Sequence, residues 1–208
     1  EKWDNLPTIK MNLSDGLLKA LDTTSKVKSK VETTNPEAYE YYLKAKYKYD
    51  KRKNIEDLEI VRGLLKQAIK IDSNLIIAKN QLGGTYISTG NYNKSLDIFS
   101  SNLKEAEKND DKENMGGAFN GLGNIYHEKG DCGVALKHYA SAINLYESLN
   151  NMSGLADSLN GLALIHADLE EYNKALEVYT RALKICEELN DEEGKAIVQN
   201  NIGNIYNQ

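Results

Sequence analysis

The sequence predicts an all-α solenoid built from antiparallel helix pairs, and three observations predict it. Leu82, Leu122, Leu162 and Ile202 recur at a spacing of forty, followed by the small residues Gly83, Gly123, Ala163 and Gly203. Tyr86, Tyr126, His166 and Tyr206 return three residues after those, and Ser95/Ala135/Ala175, Phe99/Tyr139/Tyr179 and Asn102/Ala142/Ala182 complete the period. Within one period the apolar spacing is helical: Ala135, Tyr139, Ala142, Ile143 and Tyr146 form one stripe of a 3.6-residue helix. Turn residues then separate two such stripes, at Gly90-Asn91 and Gly130-Asp131. A unit of this size cannot bury its own apolar face, so units stack.

In chain order, residues 1–34 read as a linker followed by a short capping helix. Leu17, Leu18 and Leu21 mark that helix, beginning near Ser14. Residues 35–74 read as a divergent first repeat. Asn35 is placed to cap a helix with Pro36 at its first position, and Leu58, Val61, Leu65, Ala68 and Ile71 share one face of the next. Residues 75–208 hold three full repeats and a truncated fourth. Asn91 and Asp131 are the expected caps of second helices, while Glu170-Glu171 leaves the third turn undefined. The start lacks an initiator Met, which reads as an excised piece of a longer chain.

Glycine costs about 1 kcal/mol relative to alanine inside a helix, so a recurring small residue needs a reason. Close approach of a second helix supplies it, and Gly123 is expected to receive the ring of Tyr139. A phosphate-cradling loop is the competing explanation for "GLGN", but no strand precedes it and no GK[ST] follows.

The string Leu-Gly-x-x-Tyr followed by Ala-x-x-x-Tyr/Phe-x-x-Ala resembles the tetratricopeptide repeat over roughly residues 75–208. That resemblance implies a right-handed superhelix of helix–turn–helix units and a protein-binding role without catalysis. The family's early Trp is replaced by Lys79, Phe119, Leu159 and Gln199, and its closing Pro by Glu107, Glu147 and Glu187. Loss of that Pro suits a long, forty-residue repeat. "AYEYYLKAKY" at 38–47 resembles the segment before such repeats in bacterial adenylate or guanylate cyclase-related proteins.

Asn80, Asn120, Asn160 and Asn200 recur in register, and Asn124 and Asn204 lie one turn beyond Asn120 and Asn200. Asparagine is a poor helix former, so propensity does not account for the row. Each amide offers a donor and an acceptor matched to an extended peptide backbone, and the resemblance implies the same use. The other reading is that the row came with duplication of the unit and solvates the groove. His127, with Glu128 and Asp168 on neighbouring turns, is expected in the same groove. Lys79 lies one position off the row, so no carboxylate clamp is expected.

The net charge is −5, against general nucleic-acid binding. Residues 26–53 nevertheless carry nine Lys or Arg against four acids. Tyr39, Tyr41, Tyr42, Tyr47 and Tyr49 read as helix contacts in preference to base-stacking residues. Cys132 and Cys186 fit no zinc or redox spacing and read as reduced packing residues of a cytoplasmic protein. No membrane span, signal peptide, metal site, cofactor or catalytic constellation is expected. His166 replaces an inward Tyr and is assigned to the core, and His138 to an exposed face. The partner is then a protein or peptide, with self-association through the uncovered Ile202, Ile205 and Tyr206 as a further expectation. The alternative role is a docking segment of a larger bacterial signalling enzyme.

Overall fold

The computed structural model describes residues 35–207; the expected linker and capping helix at 1–34 lie outside them. The described residues form nine helices: α1 Pro36–Asp50, α2 Glu56–Ile71, α3 Ile76–Ile87, α4 Tyr92–Lys108, α5 Lys112–Glu128, α6 Cys132–Leu149, α7 Met152–Asp168, α8 Tyr172–Leu189 and α9 Glu192–Tyr206. Each packs on the next in sequence, so the chain is a stack of hairpins.

Local chemistry sets the helix starts. The Asn35 side chain accepts from the Glu37 and Ala38 amides, with Pro36 in the first turn, where its missing N–H is no loss. Asn91 and Asp131 cap α4 and α6 as expected, and Asp111, Asn151 and Asp191 do the same for α5, α7 and α9. Each accepts a backbone N–H three residues on, which satisfies one of the helix's unpaired donors. Gly90 and Gly130 adopt positive φ (69° and 77°) between paired helices, where glycine carries no Cβ penalty.

The third turn has no glycine. Glu170 takes φ 59° there, and Glu171 begins α8 without a side-chain cap. The Glu171 carboxylate is committed elsewhere: it receives His166 Nδ1 at 2.6 Å and Lys174 Nζ at 2.8 Å. Lys174 first, then His166, holds that carboxyl below its usual range. Glu170→Gly is expected to raise stability by about 1 kcal/mol by removing left-handed strain. A urea midpoint that fails to rise would contradict this account of the turn.

The core is a series of rings seated on small residues. A Cβ placed on Gly83 would come within 2.6 Å of the Phe99 ring, and one on Gly123 within 2.9 Å of Tyr139. The pairing expected within each repeat is therefore present. The same rings also lie against the next repeat: Cβ atoms on Gly121 and Gly161 would overlap Phe99 and Tyr139. Each ring is wedged between two first helices, and Tyr139 is left 1% exposed. Tyr146 repeats the device between Gly116 and Gly154. Close approach also lets Ser95 Oγ donate to the Gly83 carbonyl at 2.9 Å.

His138 is not on an exposed face. It stacks on Tyr126 with ring centroids 5.4 Å apart and lies near Phe119, and burial lowers its pKa. His166 is part-buried with Glu171 as its polar partner, close to the core role assigned to it. In the first hairpin Tyr42 is buried, burial raising its pKa to about 12, whereas Tyr47 is exposed. Arg62 is buried under Tyr86, donating to Thr85 Oγ1, the Thr85 carbonyl and Thr89 Oγ1, with an ion pair to Glu59.

Candidate functional site: the face of the first helices

Successive first helices touch one another: α3 meets α5, α5 meets α7 and α7 meets α9. The second helices α4, α6 and α8 do not approach one another comparably among the described residues. A stack whose first helices are closer than its second helices curves toward the first, which places α3, α5, α7 and α9 on the inner face. All the asparagines of the row lie on these four helices.

Two members of the row, Asn80 and Asn160, reach the neighbouring first helix. Asn80 on α3 reaches α5, where a Cβ on Gly117 would come within 2.9 Å of its Nδ2. Asn160 on α7 reaches α9, its Oδ1 accepting from Asn201 Nδ2 at 3.0 Å. Asn80 Oδ1 accepts from Asn102 Nδ2 at 2.8 Å, and Asn102 is buried. Asn124 is exposed, with its Oδ1 taken by the Tyr139 hydroxyl at 2.6 Å. Asn200 and Asn204 are exposed on α9.

Asn120 stands apart. Its Oδ1 is buried and accepts no hydrogen bond among the described residues. Register explains why. The position that gives Asn80 its donor, Asn102, is Ala142 one repeat on, and the position that gives Asn160 its donor, Asn201, is Gly161 one repeat back. Neither residue has a side-chain donor. A buried carbonyl without a donor costs about 1–3 kcal/mol, so Asn120 is held at that expense. Rotation about its terminal torsion, which has a broad profile, exchanges the oxygen and nitrogen positions in the seam.

His127 bridges α5 to α7 through Nε2 and Asp168 Oδ2, 2.6 Å apart. Both expected groove residues are thus brought together, as a link between repeats. Glu128 receives the Tyr92 hydroxyl at 3.3 Å. Lys79 pairs with Glu105 at 2.5 Å and is committed within its own repeat.

Sequence reasoning missed Asp157, at the N-terminal end of the inner face of α7. Surrounding protein removes part of its hydration, Asp191 adds a like charge, and together they raise its carboxyl to about 6. The side chain keeps access to water, which moderates the shift. Because its folded pKa lies above the unfolded value, this group favours the folded state most below about pH 4 and loses that contribution as pH rises through 6. Asp157→Asn is therefore expected to flatten the pH dependence of the urea midpoint between pH 4 and 7. Identical profiles for variant and parent would contradict the assignment.

Among the described residues no cluster of His, Cys, Asp or Glu is arranged to hold a metal ion. No described helix is long and apolar enough to cross a membrane. Two open clefts lie at interhelical loops, one at Thr89–Asn93 and one lined by Arg52, Lys53, Ile55 and Ser88; neither includes a ladder residue.

A tetratricopeptide repeat family model matches residues 74–148 and 154–208. No curated protein matches the sequence. Solved structures with a similar fold include BtubC from P. vanneervenii, 19% identical over 83% of this chain and 66% of that one, TM-score 0.57. The apo form of RapI is 17% identical over 94% of this chain and 72% of its own, TM-score 0.65. A Rap protein complexed with competence and sporulation factor is 19% identical over 91% and 53%, TM-score 0.67. The chain thus spans between about half and about three-quarters of the length of these structures.

Proposed function

This chain belongs to the tetratricopeptide repeat family, and from that membership we propose that it is a non-catalytic protein-interaction module whose inner face captures an extended peptide. The observation that carries the proposal is the unpaired, buried Asn120 carbonyl within a register of asparagines on the inner helices. Once rotation of the terminal torsion turns the Asn120 oxygen outward, a peptide backbone on the inner face donates an N–H to it and accepts from the exposed amides of Asn200 and Asn204. The similar fold of a Rap protein complexed with competence and sporulation factor supports a groove of this kind.

Magnitudes define what the ladder contributes. A net hydrogen bond is worth roughly 0.5–1.5 kcal/mol, so four positions give about 2–6. Micromolar binding takes about 8 kcal/mol. The rest comes from side-chain contacts along the same face, where Ile77 and Ile197 are exposed apolar residues and Asp157 and Asp168 are exposed acids. The favoured ligand is an extended segment with aliphatic and basic side chains.

Panning a random peptide library against the chain and against an Asn120/Asn160/Asn200→Ala variant tests this. Enrichment by the parent alone, with both proteins equally folded, is the expected result. Equal enrichment of the same peptides by both would overturn the ladder. Asn120→Ala alone is expected to leave folding unchanged or slightly improved, because it removes an unpaired buried carbonyl.

The string at 38–47 supports a second reading, that the array is a docking segment of a larger bacterial signalling enzyme of the cyclase-related kind. The free Cys132 and Cys186 are in keeping with a reducing, cytoplasmic setting.

A further inference from the structure

The turn from α1 into α2 carries positive charge that the fold does not use. Of its cations Lys48, Lys51, Arg52 and Lys53, only Lys48 is ion-paired among the described residues, with Asp57 at 2.8 Å. The nearby acids of α2 are largely spent: Asp57 also accepts the Lys53 backbone N–H at 2.8 Å, and Glu59 is held by Arg62. Arg52 is pinned in place. Its guanidinium lies over the Tyr49 ring, 3.8 Å from the centroid, and Nη1 donates to the Tyr49 carbonyl at 2.7 Å. Asn54 gives its Oδ1 to the Asp57 N–H at 3.0 Å, which leaves its Nδ2 as a donor. Arg52, Lys53 and Asn54 line a cleft of about 550 Å³ that extends to Ser88 at the end of α3. Two aliphatic side chains line it as well, the buried Leu58 and Ile55, which is 65% exposed.

We propose that this cleft is a second binding site, separate from the asparagine row, which takes a carboxylate side chain of a peptide together with an aliphatic residue beside it. Arg52 and Lys53 supply the charge, and hydrogen bonds of that kind are about twice as strong as neutral ones. Pinning by Tyr49 helps, because a guanidinium already held in place loses little freedom when it binds. Ile55 and Leu58 offer the aliphatic contact. Asp50 lines the cleft too and sets which anion fits. Two cations against one acid leave a single net positive charge, which one carboxylate neutralises and a phosphate of about −1.5 to −2 overshoots. The inner face favours basic segments, so the two sites take different ligands.

The probe is the tripeptide leucyl-glutamyl-leucine with both ends capped, so that its one charge is the side-chain carboxylate. It is titrated into the full chain and followed by backbone amide shifts. The expected result is saturable movement at 52–55, 58 and 88, with binding about tenfold weaker or more when glutaminyl replaces glutamyl. Arg52→Gln combined with Lys53→Gln abolishes binding at an unchanged melting temperature, since both side chains are exposed. Equal binding of the glutaminyl peptide, binding that survives the double substitution, or no movement at those positions with millimolar peptide would overturn the proposal. So would tighter binding of the phosphoseryl counterpart, which would make the cleft a phosphate site.

Discussion

Tyr139→Ala is expected to lower stability by about 3–5 kcal/mol, the range for removing a large aromatic side chain from a packed interior. The ring is 1% exposed and wedged between Gly123 of its own repeat and Gly161 of the next. Both glycines are backbone surfaces with no side chain to collapse into the space, so relaxation recovers little. The substitution also removes the hydroxyl that donates to Asn124. Because the ring joins two repeats, the loss falls on the interface as well as the unit, and in a stacked array interface terms hold the units together. Hydrogen exchange is expected to show α5 through α8 losing protection together. A loss below about 1 kcal/mol would mean that the ring-on-glycine seats are not the main coupling between repeats.

Gly161→Val is expected to destabilise by about 1–3 kcal/mol, the usual cost of overpacking a filled core. A helix former in place of glycine gains a fraction of 1 kcal/mol in propensity, but its side chain overlaps the Tyr139 ring. Gly203→Ala isolates the two terms. No neighbour lies near that position, so only propensity acts, and stability is expected to rise by about 1 kcal/mol. Opposite signs at two glycines of similar helix chemistry follow from packing alone. Equal signs would show that backbone entropy, not ring seating, explains the recurring glycines.

These expectations show what the sequence makes legible. The ring at Tyr139 and the small residue at Gly123 recur in fixed relation within a period, and the caps at Asn91 and Asp131 follow the Gly that ends the preceding helix; local spacing determines both. Gly121 and Gly161 were not recognisable as seats, because their partner ring comes from the preceding repeat. A one-dimensional period does not reveal which face of the next helix meets it. The caps at Asp111, Asn151 and Asp191 follow residues with left-handed backbone, Asp110, Asn150 and Asn190, and no glycine flags those turns. His138 was misassigned to an exposed face because its alternation with Tyr139 suggested an outward position, whereas Tyr126 of the paired helix provides a stacking surface.

The candidate site was legible as a register and not as an environment. All seven residues named from the sequence lie on α3, α5, α7 and α9, but their surroundings differ because the residues between them differ. Asn80, Asn124 and Asn160 each have an oxygen engaged by Asn102, Tyr139 or Asn201, and His127 pairs with Asp168. Ala142 and Gly161 at the donor positions leave the buried Asn120 oxygen without one. Asp157 gave no signal in the sequence, since its raised pKa depends on the partial loss of hydration beside neighbouring protein and then on the like charge of Asp191.

The most direct test follows the side-chain amide resonances of the chain during titration with a peptide selected by panning. The account predicts that the Asn120, Asn160 and Asn200 signals shift with one saturation curve, Asn120 most strongly as its carbonyl gains a donor, while α4, α6 and α8 stay unchanged. Shifts confined to those second helices, with the three asparagines unmoved at saturation, would contradict a peptide site on the inner face.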